Sequence, residues 1–353
     1  MFPAIAIAKG LEAVLPEVDI LFVGAKGKLE MEKVPEAGYP IKGLWISGFQ
    51  RKLSVRNLSF PFKLLSSLWK SRQIIRQFKP DIAIGVGGYA SGPLLYMAAR
   101  KGMPIVLQEQ NSFPGITNRL LANKADAICV AYEGLERFFP KETIRITGNP
   151  VRQQIAQMDM THQAGAAAFD LNPGQPIVLS VGGSLGARTI NQSLAGQLDQ
   201  LLANGVQLIW QTGKIYYEEL AQWQARYPNQ LRIVPFISHM EAAYAAADVI
   251  ISRAGAIAVS ELCLLGKPVV LVPSPNVAED HQRKNAEALV RQGAAKMVLD
   301  KDAAEQLVPT VVALLGHAEE QAELGKAILA HAKPEATTAI VSAIVDLLQQ
   351  RSA

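Results

Sequence analysis

Short apolar runs alternate with amphipathic segments of helical period along most of the chain. The runs are rich in Val and Ile, as is typical of strands that are buried on both faces of a sheet. Helical segments separate them, which indicates βαβ units and therefore an α/β fold with parallel sheets. Nine strands are expected, at 20–23, 82–86, 105–107, 127–131, 177–181, 207–211, 231–235, 249–252 and 269–273.

The length of 353 residues favours two domains, because one hydrophobic core stops growing well below that size. The segment 147–150, Thr-Gly-Asn-Pro, interrupts the alternating pattern near the middle of the chain. We therefore predict two Rossmann-like domains, at 1–150 and 151–334. The remaining segment, 335–353, reads as a C-terminal helix for which the first domain is the candidate packing surface.

Composition narrows the class of protein. Hydrophobic residues make up 49% and charged residues 19% of the chain, which is typical of a globular protein. No apolar stretch reaches the roughly 18 to 20 residues of a spanning helix, and the N-terminus does not resemble a signal peptide. With only Cys129 and Cys263, we expect a protein of a reducing, cytoplasmic compartment without disulfides.

Charge is distributed unevenly. The formal net charge is only +4, yet residues 42–79 contain nine Lys or Arg and no Asp or Glu. Aromatic and aliphatic residues lie among these cations, a combination that suits an anionic lipid surface. A solvated basic face whose apolar residues point into the core is the alternative. RNA binding is a lesser one, because no RNA-binding motif accompanies the charge.

Glycine-rich or polar segments follow five predicted strands, at the place where parallel sheets bind ligands. They are 87–93, 108–111, 182–188, 252–261 and 279–285. The segment 182–188 opens a helix, whose N-terminal N–H groups can hold a diphosphate, and Glu261 would suit the hydroxyls of a ribose. Taken singly, each segment is also compatible with a plain turn or an exposed helix start.

Several chemistries are not indicated. The five histidines lack the spacing of metal ligands, and neither a nucleophile elbow nor a P-loop is present. Asp300 and Asp302 resemble paired metal-binding aspartates, but Asp302 with Glu305 reads better as a helix capping box. We predict no metal.

Six motifs occur in an order and at spacings that resemble one family. They are 87–93 (GGYASGP), 109–111 (EQN), 148–152 (GNPVR), 182–188 (GGSLGAR), 252–255 with 260–261 (SRAG, SE) and 280–286 (DHQRKNA). Nearly from end to end, the chain resembles the MurG family, the N-acetylglucosaminyltransferases of peptidoglycan synthesis. The resemblance implies a GT-B fold, in which an N-terminal acceptor domain and a C-terminal UDP-sugar domain face each other across a cleft.

The resemblance also implies a reaction. It is the inverting, metal- and cofactor-independent transfer of N-acetylglucosamine from UDP-N-acetylglucosamine to the C4 hydroxyl of undecaprenyl-diphosphate-linked muramyl-pentapeptide. The family acts peripherally at the cytoplasmic face of the plasma (inner) membrane, which residues 42–79 would contact, and no nucleic acid takes part.

Site residues follow from the same resemblance. The implied donor contacts are Asn111 and Gln282 with the sugar, Arg152 and Ser184 with the diphosphate region, Glu261 with the ribose, and the main chain near Ile237 with the uracil. The implied acceptor loop carries Gly87, Gly88, Tyr89 and Ser91, with Tyr89 close to the site of transfer.

One departure concerns the start of the chain. The family begins with a strand and a Gly-Gly-Thr-Gly-Gly-His loop ahead of the helix that matches 2–6 here. The histidine, the family's usual catalytic base, has no counterpart, which leaves Tyr89 and Glu109 as weak candidates. We expect an upstream start in preference to a truncated, weakly active product. We also expect an unpaired gap in the first sheet and low stability for the chain as it stands.

Two other functions stay open. A different GT-B lipid glycosyltransferase would share the donor loops and differ around Tyr89 and Glu109. A UDP-sugar-binding protein without catalytic activity would bind the donor and not turn it over.

Overall fold

The computed structural model describes residues 1–48, 59–183 and 185–352. The chain forms two compact units: unit 1 comprises Met1–Pro150 with Glu335–Ala353, and unit 2 comprises Val151–Pro334. Both contain parallel sheets that alternate with helices, so the predicted α/β class is confirmed. No helix within the described ranges is long and apolar enough to cross a bilayer.

Unit 1 contains six strands and six α-helices in the described residues. The strands are β1 (Phe22–Ala25), β2 (Ile41–Leu44), β3 (Ala83–Gly85), β4 (Ile105–Glu109), β5 (Ala127–Val130) and β6 (Ile144–Ile146). The helices are α1 (Phe2–Val14), α2 (Glu30–Glu36), α3 (Phe60–Phe78), α4 (Ser91–Ala99), α5 (Ile116–Leu121) and, at the C-terminus, α17 (Ala336–Ser352). Helix α17 packs on α1, where Gly10 allows close approach: a Cβ there would lie 2.9 Å from Thr337 and Val341.

The strands of unit 1 fall into two sheets. Strands β1 and β2 form one parallel pair, and β3, β4, β5 and β6 form a second parallel sheet in that order. A cavity of about 1160 Å³ is lined by residues of both sheets, including Val23 of β1 and Ile84 of β3, and by Ile7 and Leu11 of α1. Among the described residues, β1 and β3 are not hydrogen-bonded neighbours.

Unit 2 contains one sheet of six parallel strands, in the order β12-β11-β10-β7-β8-β9. The strands are β7 (Ile177–Val181), β8 (Gln207–Gln211), β9 (Leu231–Val234), β10 (Val249–Ser252), β11 (Val269–Leu271) and β12 (Lys296–Met297). The helices are α6 (Gln153–Ala156), α7 (His162–Ala167), α8 (Arg188–Gly196), α9 (Leu198–Leu202), α10 (Tyr217–Leu220), α11 (Trp223–Arg226), α12 (Met240–Ala246), α13 (Ala256–Leu265), α14 (His281–Val290), α15 (Ala303–Leu315) and α16 (Ala318–Leu329).

Both faces of the unit 2 sheet are buried. Along β7, Ile177 and Leu179 belong to one apolar cluster and Val178 to another, because successive side chains point to opposite faces. A strand buried on both sides needs an uninterrupted apolar sequence, and this explains why the runs in this half of the chain are so regular.

All nine predicted strands are present; three have the predicted bounds, and the ends of the other six differ from the prediction. The first is displaced, from 20–23 to Phe22–Ala25, and three short strands, β2, β6 and β12, were not predicted. In β2 the apolar run is broken by Lys42 and Gly43, and β6 exposes two of its three residues. These strands lie at sheet edges, where less apolar sequence is required.

Candidate functional site

Three loops of unit 2 lie side by side at one edge of its sheet. Strands β7, β10 and β11 are parallel neighbours, so the loops that follow them, 182–187, 253–255 and 272–280, emerge together. The polar segments singled out in the sequence are therefore adjacent in space. Ligands of parallel sheets bind at this edge.

The first of these loops turns sharply into α8. Gly183 and Gly186 have φ values of +78° and +81°, a region that strongly favours glycine, and a Cβ on Gly186 would lie 2.1 Å from the carbonyl oxygen of Thr212. Helix α8 begins at Arg188 and presents its unpaired N–H groups to the loop. Ser184, predicted to contact the diphosphate, lies outside the described residues.

Arg152 and Glu261 form a bidentate ion pair. The guanidinium Nε and Nη2 lie 2.7 Å from Glu261 Oε1 and Oε2 respectively. Glu261 is only 4% exposed, because the small residues at the start of α13 let the helix pack closely, whereas the Arg152 side chain is 49% exposed. The carboxylate raises the pKa of Arg152 through this hydrogen bond, so the guanidinium is charged at every physiological pH.

Tyr244 is a second donor to Glu261 that the sequence did not reveal. Its hydroxyl lies 3.4 Å from Oε2, and the ring is 3% exposed on α12. Burial, followed by the nearby carboxylate, raises the pKa of Tyr244, so the phenol stays protonated and donates. Ile237, expected to read the uracil through its main chain, is buried just ahead of the same helix.

The start of α14 is connected to the loops after β10 and β11. Gln282 Oε1 accepts a hydrogen bond from the Ser274 main-chain N–H at 2.9 Å. The fully buried Asn285 donates to the Ala254 carbonyl at 3.3 Å. The two side chains lie three residues apart on α14, and each contacts a different loop of the site.

Asp300 also belongs to this edge of the sheet. It pairs with Arg253, and its Oδ2 accepts a hydrogen bond from the Thr189 hydroxyl at 2.9 Å. The predicted capping box is corrected: Asp302 is the N-cap of α15, but its side chain makes no capping hydrogen bond within the described chain. The acidic segment thus connects the loop after β10 to the start of α8 through Asp300.

In unit 1, Glu109 lies at the end of β4 and is 2% exposed. One oxygen accepts from the main-chain N–H and the amide of Asn111 at 3.0 and 3.1 Å. The other accepts from the Gly115 N–H at 3.0 Å and from the Asn118 amide at 2.8 Å. Four neutral donors therefore hold this carboxylate and fix the segment from 109 to 118.

Side-chain amides join three loops of unit 1. The amide of Gln108 donates to Asn149 Oδ1 at 2.9 Å, and Asn149 donates to the carbonyl of Gln110 at 3.0 Å. Gln110 in turn donates to the Val86 carbonyl at 3.1 Å. The loops after β3, β4 and β6 are thus tied together.

Two glycines shape the loop after β3. Gly87 and Gly88 have φ values of +80° and +84°, a region that favours glycine, and the Ser91 hydroxyl donates to the Gly87 carbonyl at 2.6 Å. Tyr89 is 53% exposed and its ring lies against Gly48, where a Cβ would be 2.3 Å from the Tyr89 hydroxyl oxygen. Among the described residues, no group of three or more His, Cys, Asp or Glu is placed to hold a metal ion.

Comparison with known proteins assigns the chain to a family. The glycosyltransferase family 28 N-terminal domain matches residues 1–130, and the glycosyltransferase family 28 C-terminal domain matches 177–340. The UDP-N-acetylglucosamine--N-acetylmuramyl-(pentapeptide) pyrophosphoryl-undecaprenol N-acetylglucosamine transferase of Cytophaga hutchinsonii is 52% identical over 348 residues, 99% of this chain and 94% of that protein. The Parabacteroides distasonis protein of the same name is 52% identical over 352 residues, 99% of this chain and 96% of that protein.

A solved structure gives the same assignment. Acinetobacter baumannii MurG aligns with a TM-score of 0.79 at 30% identity, covering 99% of this chain and 95% of that one. The chain belongs to the MurG family of glycosyltransferases.

The family assignment confirms the GT-B prediction, two Rossmann-like α/β domains. The N-terminal family 28 domain falls within unit 1, and the C-terminal one covers most of unit 2 and the start of α17. As a MurG-family member the chain is a glycosyltransferase.

Helix α3 carries an exposed apolar stripe in this MurG-family chain. Phe62, Leu65 and Trp69 are each about two-thirds exposed, at 69%, 66% and 67%, and recur at helical spacing. Exposed cations follow them on the same helix, at Arg72 and Arg76. The part of the basic stretch at 49–58 lies outside the described residues.

Proposed function

We propose that the chain transfers N-acetylglucosamine from UDP-N-acetylglucosamine to the C4 hydroxyl of lipid-linked N-acetylmuramyl-pentapeptide, with inversion and without a metal. The Arg152–Glu261 pair beside the glycine loop of unit 2 carries the proposal. A guanidinium cation suits a diphosphate and a buried carboxylate suits the paired hydroxyls of a ribose. The names of the Cytophaga and Parabacteroides relatives describe this same transfer.

The donor is assigned to residues around this pair. Arg152, with the N–H groups of the 182–187 loop, takes the diphosphate, and Glu261 takes the ribose. The main chain near Ile237 reads the uracil. Gln282 is assigned to the sugar, because its carbonyl oxygen is engaged with Ser274 while its NH₂ group keeps donors for a ligand.

Stabilisation of the leaving group is the main task of this site. The acceptor hydroxyl oxygen forms a bond to the anomeric carbon and releases its proton to solvent, while the bond from that carbon to the diphosphate oxygen breaks and its electron pair leaves with UDP. Negative charge then develops on UDP, where the Arg152 guanidinium, once it has turned from Glu261, and the N-terminus of α8 would stabilise it. Interactions that strengthen as this charge develops accelerate the reaction.

The proposed roles of Glu109 and Tyr89 differ. Glu109 is engaged by four donors and is proposed as a positioning residue for Asn111, which we assign to the donor sugar. Tyr89, exposed in the loop with Gly87, Gly88 and Ser91, is assigned to the acceptor. The N–H groups of this loop suit the acceptor diphosphate.

We further propose that α3 docks on an anionic membrane surface at the cytoplasmic face of the inner membrane. Its exposed stripe of Phe62, Leu65 and Trp69 would enter the headgroup region. Lys63, whose ammonium lies 5.8 Å from the Trp45 ring, and the cations of the C-terminal half of α3 would face anionic lipids. Each cation near such a surface contributes about 1 kcal/mol.

The test is transfer of labelled N-acetylglucosamine from its UDP donor to a short-chain analogue of the muramyl-pentapeptide lipid. A diacylglycerol acceptor serves as the comparison. We expect transfer to the muramyl lipid alone. Transfer to diacylglycerol would assign the chain to another lipid glycosyltransferase activity. Binding of the donor without turnover on either lipid would indicate a binding role.

A further inference from the structure

We infer that Tyr244 is a positioning residue for the donor ribose, acting through the carboxylate of Glu261. The inference rests on the proposed function, because it assumes that Glu261 holds the ribose. Its basis is the contact between a phenol hydroxyl and Glu261 Oε2 in the interior of unit 2.

The two donors to Glu261 differ in their freedom to move. Arg152 uses both carboxylate oxygens, but its side chain is half exposed and lies outside the apolar core. Tyr244 is 3% exposed, and its ring belongs to the same buried cluster as Ile237 and Val259. Arg152 can therefore leave the carboxylate while Tyr244 stays in place.

Donor binding requires that the ion pair opens. A bidentate guanidinium occupies both oxygens of Glu261, so ribose hydroxyls gain access only when Arg152 turns to the diphosphate. A buried carboxylate that loses its partners is strongly disfavoured. Tyr244 keeps one oxygen satisfied during this exchange and leaves the other for the ribose.

The length of the Tyr244 contact agrees with this role. At 3.4 Å it exceeds the usual 2.5 to 3.0 Å of an O–H···O hydrogen bond. Arg152 holds the carboxylate in the ligand-free structure, and hydrogen bonds of a site often shorten only when its ligand binds. We expect the bond to shorten when Arg152 moves away.

Tyr244 also connects the two parts of the nucleoside site. Ile237, assigned to the uracil, lies three residues ahead of Met240, where α12 begins, and Tyr244 lies on that helix. The short segment from Ile237 to Tyr244 thus contains both the residue assigned to the base and the residue that supports the ribose contact.

The experiment is calorimetric titration of the full chain with UDP and with 2′,3′-dideoxy-UDP. For Tyr244→Phe we expect the Kd for UDP to rise about three- to tenfold, as for the loss of one typical hydrogen bond of about 1 kcal/mol. The Kd for the dideoxy nucleotide should change less than twofold. In a Glu261→Gln background, Tyr244→Phe should change the Kd for UDP less than twofold.

Tyr39→Phe is the matched control. Tyr39 is also buried and donates to a carboxylate, that of Glu12 at 2.7 Å, but it lies in unit 1. It should leave both Kd values unchanged. An unchanged Kd for UDP in Tyr244→Phe, or an equal loss for both nucleotides, would overturn the inference. Absence of UDP binding by the unmutated chain would overturn the proposed function and the inference with it.

Discussion

Two buried glutamates, Glu109 at the end of β4 and Glu261 within α13, are held in different ways. Glu109 in unit 1 accepts from two main-chain N–H groups and two side-chain amides, all neutral and all within ten residues of it. Glu261 in unit 2 is held by a half-exposed arginine 109 residues away and by a buried tyrosine. Their exposures, 2% and 4%, are nearly the same.

The donors, and not the burial, therefore distinguish the two sites. A carboxylate held by local neutral groups organises the loop that contains those groups, and no ligand can replace them without disrupting that loop. A carboxylate held by a mobile cation can exchange it for ligand hydroxyls while the cation binds the ligand's anion. Glu109 thus has a structural environment, whereas Glu261 has that of a binding site.

The largest expected effect is that of Arg152→Ala. The variant removes the cation proposed for the diphosphate and leaves Glu261 with one donor. We expect transfer to fall by about 100-fold or more, as for the loss of one donor that stabilises charge in a transition state. Steady-state turnover with labelled UDP-N-acetylglucosamine measures it.

Arg226→Ala is the control for this variant. Arg226 also pairs with a carboxylate of unit 2, that of Asp199, but both side chains are more than half exposed. Exposed pairs contribute at most about 1 kcal/mol, so its activity should stay within twofold of the unmutated chain. Equal losses in both variants would contradict a special role for the Arg152–Glu261 pair.

The second prediction uses the single cysteine in each unit. Cys129 on β5 and Cys263 on α13 are buried, and burial raises their pKa values to about 11 and about 12. Each thiol therefore reacts only when its own unit opens. UDP at about 100 times its Kd should slow alkylation of Cys263 about 100-fold and leave that of Cys129 within threefold.

Mass spectrometry of the two cysteine-containing peptides measures both rates in one sample. Adenosine diphosphate at the same concentration is the matched control for UDP, because it has the ribose and the diphosphate but not the uracil. Equal protection of both thiols by UDP would show that the nucleotide does not distinguish the units. The contrast between the two glutamates would then lose its functional meaning.

Much of the fold could be predicted from the sequence, because buried parallel strands need continuous apolar runs. In unit 2, β7, β8, β10 and β11 are of this kind. Strand β12 has two residues, and β6 exposes most of its side chains, so neither leaves a periodic signal. Their pairing is decided by tertiary contacts, which local sequence does not encode.

The site could be predicted less completely. Glycine-rich loops and polar residues just beyond strands are local signals, and these led to the segments that contain Glu261 and Gln282. Arg152 followed only from the family resemblance. Tyr244 sits among alanines, where an aromatic residue indicates burial but not the partner of its hydroxyl. The connection from Asp300 to Thr189 spans 111 residues and has no signal in sequence spacing.

The third prediction concerns Glu109→Gln. An amide replaces one acceptor oxygen by an NH₂ group that faces existing donors, so we expect a loss of about 1 to 3 kcal/mol in the stability of unit 1. Alkylation of Cys129 should become at least fivefold faster, while the Kd for UDP should change less than twofold. A rise in the Kd for UDP as large as that in Glu261→Gln would refute the contrast.

The fourth prediction concerns a buried acid without a strong partner, the thiol of Cys129. Burial raises the pKa of the Cys129 thiol from 9.0 to about 11, outweighing Thr147 and Arg145, which lower it. Because the folded pKa lies above the unfolded one, this stability is complete below pH 9 and is lost as the pH rises through 11. The loss reaches about 2 kcal/mol at pH 11.

Denaturant unfolding at pH 8 and pH 11 should therefore show a decrease in stability that is about 2 kcal/mol larger in the unmutated chain than in Cys129→Ala. The packing lost in the variant lowers its stability equally at both pH values, and Tyr39 titrates in both proteins. Neither therefore contributes to the difference between the two decreases. Equal decreases would mean that the thiol of β5 is accessible to water, and that unit 1 is more open than the burial of Glu109 indicates.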